Sequence, residues 1–356
     1  TLRAGGATVA IAGCNPLSAQ DDVCAALAKD GVHVYAYKGE TKSDYYKFID
    51  QVIRHEPDLT IDDGCDIIGL IHTKYPKLLK KLIGGTEETT TGVNRLRAME
   101  EDHALKYPIV AVNDNRTKHL VDNYYGTGQS TLDGVLRATN MLIAGKTVVV
   151  AGYGDCGKGI AMRAKGLGAR VIVTEVDPFP ALQAYFDGHM VMQMEQAAPL
   201  GDLFVTVTGN RDVIRREHFL KMKSGAVCCN SGHFDIEIDI PSLEKAATQK
   251  RTVRPFCDEY TLPNKKIVYI LGEGRLVNLA AAEGHPSEVM DTSFAGQALA
   301  CEFLVKNRGK LKPQVYVLPK AVDQRIAAIA LQARSLKMDK LTPAQKKYMA
   351  SWEEGT

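Results

Sequence analysis

The sequence predicts an α/β fold with two doubly wound, parallel-sheet domains and a helical C-terminal tail. Short apolar runs alternate with amphipathic segments over the first third of the chain, and the alternation recurs in the middle. Such alternation is typical of parallel sheets flanked by helices. A glycine-rich turn joins a strand to a helix near residue 152. With 356 residues, the chain is long enough for about two domains of ~150 residues each.

The first third supplies the elements of the first predicted sheet. Its predicted strands are Thr8–Cys14, Val32–Tyr37, Leu59–Asp62 and Ile109–Asn113. Between them, Asp21–Ala28 and Tyr45–Arg54 are amphipathic and are predicted as helices. We assign residues 1–124 to the N-terminal part of a substrate-binding domain.

The middle of the chain repeats this pattern, and the last part is helical. Its predicted strands are Thr147–Ala151, Val171–Glu175, Leu203–Val207, Ala226–Asn230 and Ile267–Leu271, and the predicted helices that follow are His285–Lys306 and Val322–Ala333. We assign residues 125–284 to a second domain, 285–334 to a return to the first domain and 335–356 to an oligomerisation tail. Two crossings between the domains would form a hinge that closes a cleft.

The turn Gly152-Tyr-Gly154-Asp-Cys-Gly157 has the spacing of a dinucleotide-binding site. Gly152 allows a tight turn, Gly154 lets the backbone approach a pyrophosphate, and Gly157 lets the helix pack close to the sheet. Free N–H groups at the start of the following helix favour a phosphate group. Glu175 follows at the distance expected of an acid that binds a ribose 2′-hydroxyl, and no Arg follows it directly, so the pattern favours NAD over NADP.

Composition excludes several classes of function. A net charge of +2 argues against nucleic-acid binding and electrostatic membrane binding. The apolar runs are shorter than the ~20 residues of a membrane span. The eight cysteines include no CxxC pair, so we expect reduced thiols in a cytoplasmic protein and no metal site. Because the chain starts with Thr1, we expect a further segment to precede it.

Polar groups cluster after the predicted strands, where open α/β sheets bind ligands. The clusters are Asp62-Asp63-Gly64, Thr86 through Gly92, Asn113-Asp114, and the helical pair formed by Lys118 and Asp122, which lie four residues apart. Each cluster has a structural alternative: Glu88 or Thr89 could cap a helix, and Lys118 with Asp122 could form a surface ion pair. Taken together, the clusters favour a site.

Two histidines also follow predicted strands. His233 ends the segment Asn230-Ser-Gly-His, close to where a nicotinamide ring would lie, and His285 follows Gly284 near the second domain crossing. A single histidine is usually structural. Two histidines beside glycines after strands favour a functional role.

These motifs recur in order in a known family. Asp-Asp-Gly, Glu-Glu-Thr-Thr-Thr-Gly, Val-Asn-Asp, Gly-Tyr-Gly-Asp-Cys-Gly-Lys-Gly, Gly-His-Phe-Asp-Ile-Glu-Ile-Asp and Glu-Gly-Arg-Leu-Val-Asn-Leu resemble those of S-adenosylhomocysteine hydrolases. The resemblance extends from Asn15 to about Leu341, and the C-terminal end is similar to the short-tailed bacterial and archaeal branch. It implies hydrolysis of S-adenosylhomocysteine to adenosine and homocysteine, with a tightly held NAD that oxidises the ribose 3′-hydroxyl and is restored in each turnover.

The resemblance also implies roles for individual residues. Lys118 and Asp122 would steer the proton of the 3′-hydroxyl, and we expect a lowered Lys118 pKa that suits a base. Glu88 would bind the ribose, Asp63 would act near C4′ and C5′, His233 would position water or the leaving thiol, and His285 would bind the nucleoside. The residues implied in NAD binding are Thr89, Thr90, Thr91, Asn123, Gly152, Gly154, Asp155, Cys156, Gly157, Glu175, Asn210, Ser231, Gly232, His233 and Asn278.

Two features depart from the family pattern. The His-x-Thr substrate motif that family members carry nearer the N-terminus is not found, and adenine selectivity depends partly on that segment. The Lys- and Tyr-bearing tail by which many members reach a neighbour's NAD is not found either. We still expect a homotetramer.

Two alternatives stay open: an NAD-dependent dehydrogenase of the 2-hydroxyacid type, and a non-catalytic regulatory homologue that binds NAD and a nucleoside.

Overall fold

The computed structural model describes residues 1–353 and confirms the predicted α/β class. Its strands are β1 (Ala10–Ala12), β2 (His33–Tyr35), β3 (Leu59–Asp62), β4 (Gly84–Glu87), β5 (Ile109–Ala111), β6 (Thr147–Ala151), β7 (Arg170–Thr174), β8 (Met190–Val191), β9 (Leu203–Thr206), β10 (Ala226–Asn230), β11 (Gln249–Arg254), β12 (Cys257–Thr261), β13 (Ile267–Leu271) and β14 (Val315–Tyr316).

Helices connect most of these strands. They are α1 (Asp21–Lys29), α2 (Lys42–Ile53), α3 (Asp66–Lys74), α4 (Thr90–Glu101), α5 (Arg116–Lys118), α6 (Thr127–Thr139), α7 (Asp155–Gly166), α8 (Pro178–Phe186), α9 (Met194–Ala197), α10 (Arg216–Lys221), α11 (Ile240–Ala246), α12 (Val277–Ala280), α13 (Ser287–Lys306), α14 (Lys320–Ala333) and α15 (Pro343–Met349). A π-helix at His119–Gly126 links α5 to α6, and 3-10 turns occupy Leu78–Lys80, Val112–Asp114 and Gly272–Gly274.

The larger sheet has eight strands in the order β11-β12-β13-β10-β9-β6-β7-β8. Its six strands from β13 to β8 run parallel in the order that characterises doubly wound dinucleotide-binding sheets. The central strand β6 is buried on both faces, since Val148 and Val150 pack into one apolar cluster and Val149 into the other. Burial of each such side chain contributes about 1.5–3 kcal/mol, so this run of valines fixes the centre of the sheet.

The N-terminal part contains two smaller parallel sheets. Strands β1 and β2 form a pair, and a four-stranded sheet has the order β14-β5-β4-β3. Strand β14 comes from the C-terminal third of the chain and pairs with β5. Helix α13 also packs against β4. The chain therefore returns to its N-terminal part after completing the eight-stranded sheet.

Glycines bring α6 and α7 into close contact. A Cβ atom on Gly128 of α6 would lie 2.5 Å from the carbonyl oxygen of Gly159 on α7. A Cβ atom on Gly159 would lie 1.9 Å from the carbonyl oxygen of Tyr124 in the π-helix. The two helices and the π-helix therefore pack backbone against backbone. This contact fixes the segment that carries Lys118 and Asp122 relative to the helix that follows the glycine turn.

Several predicted boundaries are wrong by a few residues. The first two strands are shorter than expected at both ends, and the strand expected to reach Asn113 ends at Ala111, where a 3-10 turn begins. The helix expected from His285 begins at Ser287 because Pro286 precedes it in an extended conformation. No helix within residues 1–353 is both long enough and apolar enough to cross a membrane.

Five observed strands have no counterpart among the predicted strands: β4, β8, β11, β12 and β14. Strand β4 begins with two glycines, and Cβ atoms there would lie 2.6 Å from Leu304 and 2.3 Å from Thr60, so glycine is required by packing. Strand β11 is exposed along its whole length and pairs antiparallel with β12 at the sheet edge, so it lacks an apolar pattern. Strands β8 and β14 are only two residues long.

Substitution of Gly159 by Ala should destabilise the fold, because the added methyl group meets backbone atoms that cannot rotate away. We expect a loss of about 1–3 kcal/mol in the free energy of unfolding, measured by denaturant titration. Gly166→Ala is the matched control: it lies in the same helix, and its Cβ would have nothing within 4 Å. That variant should gain up to about 1 kcal/mol. Equal stability of the two variants would contradict the packing argument.

Candidate functional site

The candidate site lies where the carboxyl ends of β3, β4 and β5 meet. These strands are neighbours in one parallel sheet, so the residues that follow them come together at one edge. Asp63 follows β3, Glu88 follows β4, and Asn113 lies in the 3-10 turn after β5. The edge thus brings together three of the polar clusters on which the sequence analysis depends.

Lys118 lies at the centre of this edge and is almost completely buried. Its ammonium group is 3.6 Å from Glu88 Oε1 and 3.3 Å from Asp122 Oδ1. It also donates a hydrogen bond to Asn123 Oδ1 at 2.7 Å, and Asn123 Nδ2 donates to Asn113 Oδ1 at 3.2 Å. The pair of Lys118 and Asp122 is therefore not an exposed surface ion pair, which was the structural alternative.

The helix that carries Lys118 is held by the returning part of the chain. The carboxylate of Asp323 on α14 accepts hydrogen bonds from the N–H of Arg116 at 2.7 Å and from the N–H of Thr117 at 3.3 Å. The Thr117 hydroxyl donates to the same carboxylate. Because the first N–H groups of a helix have no intrahelical partners, this distant carboxylate caps α5.

Glu88 is held in the same way by α13. The Ser293 hydroxyl donates to Glu88 Oε1, and the Gln297 amide donates to Glu88 Oε2. Gln297 in turn accepts a hydrogen bond from Thr86 on β4. The sequence analysis missed Ser293, Gln297 and Asp323, because their partners are about 200 residues away and no local motif marks them.

The expected lowering of the Lys118 pKa is wrong. Burial alone would lower the pKa of Lys118, but the charges of Glu88 and Asp122 outweigh burial and raise it. Burial acts to raise the pKa of Asp122, but Lys118 and His285 together bring it below its ordinary value. Burial raises the pKa of Glu88 despite the nearby ammonium. Lys118 is therefore a cation and Asp122 a carboxylate at neutral pH.

His285 joins this cluster from the second crossing between the domains. Its Nε2 atom lies 3.2 Å from Asp122 Oδ1, and its Nδ1 atom lies 3.0 Å from the Ser130 hydroxyl. The Thr127 hydroxyl lies 3.4 Å from Nε2. Asp122 thus contacts both Lys118 and His285, so four of the residues chosen from the sequence form one connected group.

Asp63 and His233 form a second group, which joins the loop after β3 to the loop after β10. His233 Nδ1 lies 3.7 Å from Asp63 Oδ1, and the imidazole is buried while the carboxylate is partly exposed. Gly64 has a φ of +110°, and a Cβ atom there would lie 2.2 Å from His233 Nε2. Glycine at this position is therefore what allows the loop after β3 to approach the histidine.

Glu87 fixes the two loops that carry Asp63 and Glu88. Its buried carboxylate accepts hydrogen bonds from the N–H groups of Gly64 at 2.9 Å, Cys65 at 3.0 Å and Thr89 at 3.0 Å. One side chain therefore ties the loop after β3 to the turn that opens α4. The sequence analysis gave no role to Glu87, although it stands beside Glu88.

A cleft of about 1140 Å³ opens beside these groups along the carboxyl edge of the eight-stranded sheet. Thirteen of the fifteen residues predicted to bind NAD line it: Thr89, Thr90, Thr91, Asn123, Gly152, Gly154, Asp155, Cys156, Glu175, Asn210, Ser231, Gly232 and His233. The cleft therefore runs from the glycine turn to the cluster around Lys118.

The other two predicted residues, Gly157 and Asn278, are not among those that line the cleft. A Cβ atom on Gly157 would lie 2.0 Å from the carbonyl oxygen of Gly152, so Gly157 acts in packing, as its position in the motif predicts. Asn278 donates from Nδ2 to the Ser130 hydroxyl at 3.1 Å. Its Oδ1 is buried and has no hydrogen-bond partner among residues 1–353, so it can accept a hydrogen bond from a bound molecule.

The glycine turn has the geometry that a pyrophosphate needs. Gly152 adopts a φ of +101°, and a Cβ atom on Gly154 would point into open space. Glu175 Oε2 accepts from the N–H of Tyr153 at 2.7 Å, and Oε1 accepts from the N–H of Val176 at 2.7 Å, so this carboxylate is fixed beside the turn. Together with the orphaned Asn278 oxygen, these features fit NAD. Within residues 1–353, no cluster of three His, Cys, Asp or Glu side chains could hold a metal ion.

Comparison with known proteins agrees with this geometry. Residues 1–74 match the model of the S-adenosyl-L-homocysteine hydrolase family, and residues 123–284 match the model of its NAD binding domain. The chain is 61% identical over 356 residues to S-inosyl-L-homocysteine hydrolase of Methanocaldococcus jannaschii, with 100% of this chain and 86% of that protein covered. It is 58% identical over 357 residues to adenosylhomocysteinase of Saccharolobus solfataricus, with 100% and 85% covered.

The chain belongs to the S-adenosyl-L-homocysteine hydrolase family. Its relatives are enzymes, and its own residues 123–284 form the NAD-binding domain of the family, so NAD is the cofactor. The cleft beside the glycine turn is where this family's cofactor domain meets the cluster around Lys118.

Removal of the Lys118 charge should make stability depend on pH. In Lys118→Met, Glu88 and Asp122 lose their cation, so the folded-state pKa of Asp122 should rise above its unfolded value, and that of Glu88, which is already raised, should rise further. A carboxyl group whose pKa is higher in the folded state than in the unfolded state stabilises the fold fully only at a pH below its unfolded-state pKa. This stabilisation is lost as the pH rises through its folded-state pKa. We therefore expect the variant to lose about 1–3 kcal/mol relative to wild type between pH 5 and pH 8.

Denaturant titrations at the two pH values measure this difference. Lys29→Met is the control, because Lys29 is exposed on α1 and should leave the pH dependence of wild type unchanged. A Lys118→Met variant with the wild-type pH dependence would show that the ammonium does not hold the two carboxylates.

Proposed function

We propose that the protein catalyses the reversible hydrolysis of S-adenosyl-L-homocysteine to adenosine and L-homocysteine. The observation that carries this proposal is the buried cluster of Lys118, Glu88, Asp122 and His285 at the end of a cleft that fits NAD. Bound NAD would take a hydride from C3′ of the ribose and later return it. We also propose that residues 125–284 bind NAD, and that residues 1–124 and 285–334 bind the nucleoside.

The charge states of the cluster support a division of roles at the 3′-hydroxyl. The Lys118 pKa is raised, so its ammonium would donate a hydrogen bond to the 3′-oxygen. The Asp122 pKa is lowered, so its carboxylate would accept the proton that leaves this oxygen. Glu88, held by Ser293 and Gln297, would accept hydrogen bonds from the ribose hydroxyls.

The second group would act on the neighbouring carbons. A carbonyl at C3′ acidifies the C4′ proton, whose removal expels the thiol from C5′. Asp63 is partly exposed, which suits a carboxylate that takes up and returns a proton at C4′. His233 lies beside it and would hold the water or thiol at C5′. Positioned groups of this kind each contribute about 10²–10⁴-fold, so the route depends on several of them.

S-inosyl-L-homocysteine is a second candidate substrate. Relatives of that name from Methanocaldococcus jannaschii and Methanopyrus kandleri are 61% and 58% identical to this chain. The two substrates share the ribose and the thioether, which are the parts that the cluster around Lys118 would contact.

Release of homocysteine from each thioether, measured with a thiol reagent, tests the proposal. We expect release from S-adenosyl-L-homocysteine at a rate that falls at least about 100-fold in Lys118→Ala, since a positioned proton-transfer group is lost. Faster release from the inosyl thioether would select the second candidate. Release from neither, with NADH appearing in solution when a 2-hydroxyacid is supplied, would favour the dehydrogenase alternative. Binding of NAD and nucleoside without any turnover would favour the regulatory alternative.

We further propose that the protein forms a homotetramer in the cytoplasm, with the tail 335–356 in an oligomer contact; residues 354–356 of this tail lie outside the described residues. Support comes from helix α8, which exposes Phe179, Leu182, Tyr185 and Phe186 on its surface. Exposed apolar patches of this kind mark interaction surfaces.

Light scattering coupled to size exclusion would measure the mass in solution. We expect about four times the 38.9 kDa of one chain. A mass equal to one chain at micromolar concentration would contradict the tetramer.

A further inference from the structure

Ser130 on α6 is buried, and its hydroxyl lies between two side chains of the site. Asn278 Nδ2 donates to Ser130 Oγ at 3.1 Å, and His285 Nδ1 lies 3.0 Å from the same oxygen. The other ring nitrogen of His285 lies 3.2 Å from Asp122 Oδ1. A continuous path of hydrogen bonds thus leads from Asn278 to the carboxylate that contacts Lys118.

The hydrogen atoms along this path can be placed by counting donors. The Asn278 amide nitrogen can only donate, so it uses a lone pair of Ser130 Oγ. The serine proton is then free to point at His285 Nδ1, and in this arrangement Nδ1 accepts. A neutral imidazole with an accepting Nδ1 carries its proton on Nε2, and this proton faces the Asp122 carboxylate.

We propose that Ser130 is a positioning residue that couples the orientation of the Asn278 amide to the proton on His285. Ser130 keeps the His285 proton on Nε2, where it is donated to Asp122. The proposal rests on the proposed function and extends it, since it identifies a group that orients Asp122 beside Lys118.

The opposite orientation of the amide shows the direction of the coupling. If Asn278 presented its oxygen, Ser130 would donate to Asn278 and would accept from His285 Nδ1. A neutral His285 would then carry no proton on Nε2. The lone pair of this nitrogen would face the Asp122 carboxylate 3.2 Å away, and the two groups would repel each other. The buried Oδ1 of Asn278 is an atom without a partner among residues 1–353. A hydrogen-bond donor of a bound molecule would hold the amide in the favourable orientation.

Nitrogen-15 NMR of histidine-labelled protein loaded with NAD reports the proton position directly. The His285 signals are assigned by their loss in His285→Gln. In wild type we expect a protonated Nε2 and a bare Nδ1. In Ser130→Ala this preference should weaken, and the shifts of the two nitrogens should move toward each other, because Asp122 alone then favours a proton on Nε2. In Asn278→Asp the new side chain can only accept, so Nδ1 should take up a proton.

Thr139→Val is the matched control for the loss of a hydroxyl in the same helix. Thr139 donates to the carbonyl oxygen of Val135 at 2.6 Å and does not contact His285. The His285 nitrogen signals of the Thr139→Val variant should match those of wild type. A His285 that keeps a bare Nδ1 in both Ser130→Ala and Asn278→Asp would overturn the proposal.

Kinetics provide a second arm. The absorbance at 340 nm, which reports NADH, should rise about tenfold more slowly in Ser130→Ala after mixing with substrate. This is the loss expected for one hydrogen bond. The KM and the retention of NAD should stay unchanged. In a His285→Ala background, Ser130→Ala should cause no further loss. Additive losses would mean that Ser130 acts only on the fold. If wild type releases no thiol from either thioether, the proposed function fails, and the NMR arm still decides the role of Ser130.

Discussion

The buried ammonium group of Lys118 is the interaction on which the rest of the site depends. An unpaired charge in this position would be costly, and here the carboxylates of Glu88 and Asp122 offset that cost. Glu88 follows strand β4 of the N-terminal sheet, and it is held by Ser293 and Gln297 from the returning helix α13. One charge thus makes segments that are far apart in the sequence depend on each other.

A second constraint is the close packing between the π-helix and α7. Gly159 allows the carbonyl oxygen of Tyr124 to approach, so the helix that follows the glycine turn lies directly against the segment that carries Asp122. The NAD-binding turn and the cluster around Lys118 are therefore joined by backbone contacts. Their separation is fixed by the absence of side chains at two positions on α6 and α7, Gly128 and Gly159, where a methyl group would force the backbones apart.

Much of the fold follows from local pattern. The valine run of β6 and the turn at Gly152 mark a buried parallel strand and a phosphate-binding loop, and both lie where the sequence predicts them. Strand β4 escapes prediction because Gly84 and Gly85 carry no side chain to reveal burial. Strand β11 escapes because an exposed edge strand needs no apolar face. The sequence signals that predict a strand are weak where the surrounding structure, rather than the residue type, determines the backbone conformation.

The sequence by itself determined the α/β class, the NAD-binding turn, the family and the residue types gathered at the strand ends, because each is encoded in short segments with a fixed period or spacing. Only the tertiary structure decided the charge of Lys118, the support of Glu88 and Asp122, and the contacts of His285. Those properties arise from electric fields and hydrogen bonds between atoms a few ångströms apart in space, whose residues lie up to about 200 positions apart along the chain. No spacing rule within a short segment contains that information.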